Sequence, residues 1–321
     1  MIKQIYCIGG ANIDRKLKSS CDLVAKTSNP VDSVFTFGGV ARNVSENLAR
    51  WTKGIHLQCI VGHDELGQQL LSYVHSLGVN TKHSLIRKDK PTSHYYAILD
   101  TKGELHLALS DMAVYQNVPT HLFCEHWDAW ESDSLILLDT NLPADIIELA
   151  IQHADEKGLR VCIDPVSVAK ASKLPDNLEN VYLIKPDIHE ACEMTGTTIH
   201  SISDCIYAGR ILQKRGVENV VISLGRSGYV LINEDAEEHV QTMEFNEVVD
   251  VSGAGDAFIA GILYGLQQDA SLREACQIGA AAAAYTIQSP NTVAEDITVS
   301  RLQAYIHNHS IIRERADAVL F

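Results

Sequence analysis

Asp250-Val251-Ser252-Gly253-Ala254-Gly255-Asp256-Ala257-Phe258 decides how the chain is read, because its small residues run straight into an apolar helix over 257–266. Small residues leave backbone N–H groups open. At a helix start those groups and the macrodipole favour an anion, so the amides of Gly253, Ala254 and Gly255 are candidates to hold a transferring phosphoryl group. Asp256 would stand beside that anion, where a carboxylate can take the proton of a hydroxyl attacking phosphorus. Taken alone, such a turn reads more simply as a tight bend with an N-terminal helix carboxylate. The rest of the chain has to decide.

Upstream, short apolar runs at 5–9, 56–61, 135–139, 160–164, 181–184 and 219–224 read as buried strands. Between them, 40–51, 65–77, 144–157 and 203–215 carry apolar residues at helical spacing. The alternation predicts an α/β fold, a mostly parallel central sheet with helices on both faces. Residues 17–37 and 81–109 break the rhythm, because they alternate with period two and carry the turn pairs Asn29-Pro30, Lys90-Pro91 and Lys102-Gly103. They predict a small separate sheet, a β-lid that two excursions add to one domain over 1–321. From 253 to 288 the chain reads as helical and rich in Ala and Gly, which permits close helix packing.

The 321 residues hold 26 Lys+Arg against 41 Asp+Glu, a formal net charge of −15, with 46% hydrophobic residues. Such a surface repels phosphate backbones and anionic lipid, so neither nucleic acid nor membrane is the expected partner. Eight scattered cysteines without a CxxC pair predict reduced thiols and a cytoplasmic protein. The start MIKQIYCIGGANID lacks a signal peptide's apolar core, and no apolar run approaches the roughly 18 residues of a membrane span. Competing signatures fail. There is no GxxxxGK[ST] and no GxGxxG after the first strand, so a P-loop kinase is excluded and a dinucleotide enzyme unsupported. His189-Glu190 is followed by Glu193 where HExxH needs His, and the fourteen histidines read as surface and core residues rather than a metal cluster.

Four further motifs precede the Asp250–Phe258 stretch in a fixed order. Gly9-Gly10-Ala11-Asn12-Ile13-Asp14 closes the first strand, and an ionised Asp there can accept hydrogen bonds from vicinal hydroxyls. Gly38-Gly39-Val40-Ala41-Arg42-Asn43 opens the next helix. Lys185-Pro186-Asp187-Ile188-His189-Glu190 and Ser223-Leu224-Gly225-Arg226-Ser227-Gly228 follow later strands. In this order the five motifs resemble the ribokinase-like (PfkB) family of carbohydrate and nucleoside kinases over nearly the whole chain. The resemblance implies that Asn12, Asp14, Gly38, Gly39 and Asn43 bind sugar hydroxyls, with Asp256 as general base and the Gly253, Ala254 and Gly255 amides as anion hole. It implies that Glu190 organises Mg²⁺ through water, that Asp187, Ser223, Gly225 and Gly228 border ATP, and that backbone carbonyls of Asp250 and Ser252 hold K⁺. It also implies a homodimer joined through the lid.

Asp187 departs from the family's Asn, and two readings follow. It can face the nucleotide phosphates, adding a charge that magnesium must relieve, or it can turn outward and cap the helix that follows. Additional stretches resemble the pseudouridine kinases within the family: 39–50, 91–100, Ser110-Asp111-Met112, 138–143 and 164–170. There Thr92, Asp111 and Lys170 can offer polar groups to a nucleobase, and Asn141 can meet the ribose. The expected activity is transfer of the ATP γ-phosphate to O5′ of pseudouridine. The alternatives are another nucleoside or ribose-like sugar as acceptor, or a ligand-binding module of the same fold without catalysis.

Overall fold

The structure is a computed structural model that describes residues 2–241, 248–308 and 312–314. In chain order the strands are β1 (Gln4–Ile8), β2 (Asn12–Ser19), β3 (Val31–Gly38), β4 (Ile55–Gln58), β5 (Ile60–Gly62), β6 (Leu85–Arg87), β7 (His94–Leu99), β8 (Leu105–Asp111), β9 (Ser134–Asp139), β10 (Arg160–Asp164), β11 (Val181–Ile184), β12 (Asn219–Ser223), β13 (Tyr229–Ile232), β14 (Glu237–Gln241) and β15 (Ile312–Glu314). The helices are α1 (Val40–Trp51), α2 (Glu65–Ser76), α3 (Thr120–Cys124), α4 (Ala144–Glu156), α5 (Val168–Ala171), α6 (Ile188–Thr195), α7 (Ile202–Lys214), α8 (Ala254–Gln267), α9 (Leu272–Thr286) and α10 (Val299–Asn308).

Nine strands form the main sheet in the order β15-β14-β13-β12-β11-β10-β9-β1-β4. From β4 to β12 every pair is parallel, and from β12 to β15 the pairs are antiparallel. Parallel strands covered on both faces read as continuous apolar runs, and β9 is buried along its whole length. Its side chains alternate between two cores. Leu135 and Leu137 join the cluster under α1, α2, α8 and α9, whereas Ile136 and Leu138 join the one under α4, α6 and α7. Helices α8 and α9 touch along glycines: a Cβ on Gly261 would lie 2.5 Å from Gly279 Cα. Among the described residues no helix is long and apolar enough to cross a membrane, and all eight cysteines are free.

A second sheet, in the order β3-β2-β7-β8, stands apart. It starts at Asn12 rather than at 17, because β2 pairs with β3 from Asn12↔Gly38 onward. Residues 81–93, expected in this sheet, lie outside its strands. Within them β6 pairs with β5 as a two-stranded ribbon. The run 56–61, read as one strand, is split at Cys59, whose N–H turns to Ser84 Oγ (3.2 Å) and leaves β4 in the main sheet and β5 in the ribbon.

Candidate active site

The site grows from the carboxyl ends of the parallel strands. Asp139 ends β9 and Asp164 ends β10, and the two are register partners. Asp139 is fully buried and accepts backbone N–H groups from Gly10 (2.7 Å), Ala41 (2.8 Å) and Asn141 (2.9 Å). Burial raises its pKa, and those three donors oppose the rise. One carboxylate thus joins the loop after β1, the start of α1 and the loop after β9.

Around that knot the sugar-type motifs converge. Asn12 Nδ2 donates to Asp14 Oδ1. Gly38 faces Asp14 so closely that a Cβ would come within 2.2 Å of its carboxylate. Gly39 has a φ of +99°, and a Cβ there would lie 2.4 Å from Gly10 O, so both its conformation and the close approach require glycine. Asn43, in the first turn of α1, donates from Nδ2 to Asp256 Oδ2 at 2.6 Å. Asn141 Oδ1 accepts from Lys170 Nζ at 2.5 Å, and burial lowers the pKa of that lysine.

Gly253 is the N-cap of α8, which places the Gly255 amide and Asp256 in its open first turn, whereas the Ala254 N–H, expected in the same anion hole, reaches back to Val251 O (3.3 Å). Burial, then the charge of Asp164, raises the Asp256 carboxyl to about 7, against the opposing pull of Asn43, Lys185 and Arg42. Lys185, only 4% exposed, lies 3.2 Å from Asp164 Oδ2 and 3.4 Å from the point a Cβ would occupy on Gly255. Burial alone would lower its pKa, but Asp164, Glu190 and Asp256 outweigh that and raise it. Glu190 is likewise pushed up to about 7, by burial first and by Asp164 next. Three carboxylates therefore converge on one buried ammonium beneath a helix N-terminus.

Asp187, for which facing the phosphates and capping the next helix were both open, caps α6. Its Oδ1 accepts the Glu190 N–H (2.8 Å), and Glu190 Oε2 accepts the Asp187 N–H (2.9 Å), a reciprocal capping box. Asparagine offers the same acceptor. Asp187→Asn is therefore expected to change stability by only a few tenths of a kcal/mol, with magnesium titration curves and ATP constants that superimpose on those of the unmodified protein. Ser223 ends β12 and bridges to Asp187, and Gly225 and Gly228 frame the turn that follows. Asp250 is held by Lys16 Nζ of β2 (2.7 Å) and by the Ser252 N–H (2.8 Å) just before α8.

One expected position falls elsewhere, and another stands at the end of the second sheet that carries Asn12 and Asp14, through the register Asp111↔His94↔Ile13. Thr92 is fully buried, with its hydroxyl donating to Asp64 (2.7 Å) and accepting from the Gly62 N–H (3.0 Å), so it locks β5 to the start of α2. Asp111 ends β8 exposed and accepts the Ala113 N–H (3.1 Å). Conversely, Asp139 and Asp164 stand at the centre without having been expected there, with Lys185, which the sequence offered only as a cation near Asp187. Their signal was an ionisable residue closing or directly following an apolar strand.

The sequence profile of pfkB family carbohydrate kinases matches residues 2–298. Pseudouridine kinase from Escherichia coli (strain K12) is 30% identical over 258 residues, covering 80% of this chain and 82% of its own. A putative sugar kinase from Clostridium perfringens superposes with a TM-score of 0.84 at 26% identity, covering 99% of both chains. Arabidopsis thaliana ribokinase complexed with ribose and ATP gives a TM-score of 0.84 at 18% identity, over 95% of this chain and 99% of the other. The order of the motifs, the strand topology and the profile agree over the same span: this chain belongs to the pfkB family of carbohydrate kinases, phosphotransferases that act on hydroxyl groups.

Proposed function

We propose that the protein transfers the γ-phosphate of ATP to the 5′-hydroxyl of pseudouridine. The observation that carries this reading is the 2.6 Å contact between Asn43 and Asp256, which sets a carboxyl titrating at about 7 against the sugar-type loops. A base is most useful when its pKa lies near working pH. Asn12, Asp14, Gly39 and Asn43 position the ribose. As O5′ attacks, its proton passes to Asp256, the O5′–phosphorus bond forms, and ADP departs with the electrons of the bond that breaks. The Gly253–Gly255 amides and Lys185 face the charge that spreads over the phosphoryl oxygens.

Among the described residues no group of three or more His, Cys, Asp or Glu could hold a metal ion unaided. Two raised carboxyls beside one ammonium nonetheless suit Mg²⁺, which keeps water and phosphate ligands and needs few from the protein. Glu190 would hold it through water, and its charge would offset that of the phosphates. K⁺ against the backbone carbonyls of Asp250 and Ser252, and a dimer through the second sheet, complete the reading. Phe35, Leu107 and Leu109 on that sheet are 47%, 47% and 51% exposed, a surface suited to a second copy. Potassium titration of activity and sedimentation velocity check these two parts.

Lys170 held at Asn141 supports a nucleoside over a free sugar, since it sets a polar group for the edge of a base beside the amide that would meet the ribose. Of pseudouridine and uridine, only the former keeps a ring N1–H beside the ribose, and a buried partner left unpaired rejects the other strongly. Pseudouridine is expected to exceed uridine and ribose in kcat/KM when ATP consumption is followed over a panel of nucleosides and sugars. Equal or better activity on ribose or fructose would move the substrate and leave the phosphotransferase standing.

A further inference from the structure

Helix α1 buries an ion pair with no evident reason to be there. Arg42 and Glu46, one turn apart, are 3% and 2% exposed and paired. Replacing a buried ion pair by apolar residues is often neutral or stabilising, so the pair calls for a reason other than stability. Its connections supply one. Glu46 Oε1 accepts from Arg50 Nη2 (2.7 Å) and from Tyr73 Oη of α2 (2.7 Å), which leaves Oε2 for Arg42 Nη1. Thus anchored, Arg42 Nη2 donates to Phe37 O (2.7 Å) and to Asn43 Oδ1.

A guanidinium only donates, and a side-chain amide has one accepting end and one donating end. The end of Asn43 that meets Arg42 must be its oxygen, so its NH₂ is turned to Asp256 Oδ2 at 2.6 Å. Without Arg42, the amide is free to flip and set its oxygen against the carboxylate. We infer that Arg42, anchored by Glu46, is a positioning residue that fixes the orientation of the Asn43 amide and through it the carboxylate of Asp256. The catalytic consequence rests on the reading of Asp256 as the base; the fixed amide does not.

The groups that face Asp256 are Asn43 and Arg42 from α1, Asp164 at the end of β10 and Lys185 after β11, with Glu190 of α6 acting on Lys185. Asn43 and Arg42 both favour the ionised form, so losing their alignment raises the pH at which Asp256 gives up its proton. Two variants test the inference. Arg42→Met/Glu46→Leu removes the pair with apolar side chains of similar length, and Arg42→Lys keeps a cation that cannot reach Glu46, Phe37 O and Asn43 together.

In the double variant, the ¹³C-carboxyl titration of Asp256 in the nucleotide-free protein is expected to move upward. Turnover is expected to fall roughly 10- to 100-fold, with a smaller rise in acceptor KM of about a few-fold, because Asn43 also positions the ribose on the proposed reading. Arg42→Lys is expected to lose about tenfold in turnover and to exchange the Asn43 side-chain amide faster. Unchanged titration and turnover in a folded double variant would overturn the inference. Should that protein not fold, unchanged amide exchange in Arg42→Lys would overturn it equally. A shifted titration in a protein that phosphorylates no acceptor would keep the inference and sink the proposed function instead.

Discussion

Asp256→Asn is expected to lower turnover by roughly 10²- to 10⁴-fold, with the acceptor KM changed by no more than about twofold. Asparagine has the same outline and can still accept from Asn43 Nδ2 through its carbonyl oxygen, so the ground-state site is preserved. What it cannot do is take a proton in the transition state. The same substitution has a predictable effect on stability. The folded-state pKa of about 7 lies above the ordinary carboxylate value, so the folded protein holds that proton to higher pH than the unfolded chain. The associated stability is complete below pH 4 and is lost as pH rises through 7. Asp256→Asn carries no charge to desolvate, and its melting temperature is expected to exceed that of the unmodified protein above pH 7 and to converge with it below pH 4. Steady-state kinetics and a pH series of thermal melts read both effects. A variant with near-normal turnover would remove Asp256 from the role of base.

Lys185→Met is expected to damage both fold and chemistry. It leaves Asp164, Glu190 and Asp256 facing one another without the buried ammonium between them, and breaking a buried pair from one side typically costs about 3–5 kcal/mol. Lys185 holds down the pKa of both Glu190 and Asp256, so its loss raises them. The acidic limb of kcat/KM is expected to move to higher pH by about one unit or more, each unit being roughly tenfold in the ionised fraction below the pKa. Raising the pH restores the base but not the lost charge at the phosphates, so turnover stays low on the alkaline side. A pH–rate profile that superimposes on that of the unmodified protein would show that Lys185 does not act on Asp256.

Much of this arrangement was legible in the sequence where the backbone itself carries the signal. Continuous apolar runs such as Leu135–Asp139 read directly as buried strands, whereas Gly39, expected as a sugar-binding position, turned out to be excluded from carrying a side chain by the backbone of Gly10 and Ala11. The β13–β14 hairpin went unread: Tyr229–Ile232 is short, and its antiparallel pairing depends on the turn before it. The polar start of β2 concealed a strand that is paired from Asn12 onward. Residues whose role depends on a neighbour distant in the chain were harder still. Asp139, Asp164 and Lys185 gain their function only when several strand ends are drawn side by side, and Arg42 only when Asn43 meets Asp256. Asp187 was undecidable for another reason: in a cap Asp and Asn serve almost equally well, so the change from Asn does not say whether the side chain caps the helix or meets the phosphates until the position of its oxygens is known.

The three amides gathered by Asp139 also set an order of events during synthesis. Residues 10 and 41 leave the ribosome well before the carboxylate that joins them, so the loop after β1 and the start of α1 have no lock until β9 emerges. Asp256 comes much later, on α8, which packs against α1 in the same core, so the face of α1 that carries Asn43 stays uncovered until then. On the proposed function, the loops that would place the hydroxyl compound are therefore made before the carboxylate that would activate it, but a chain stopped short of α8 also lacks a large part of the core on which those loops are seated.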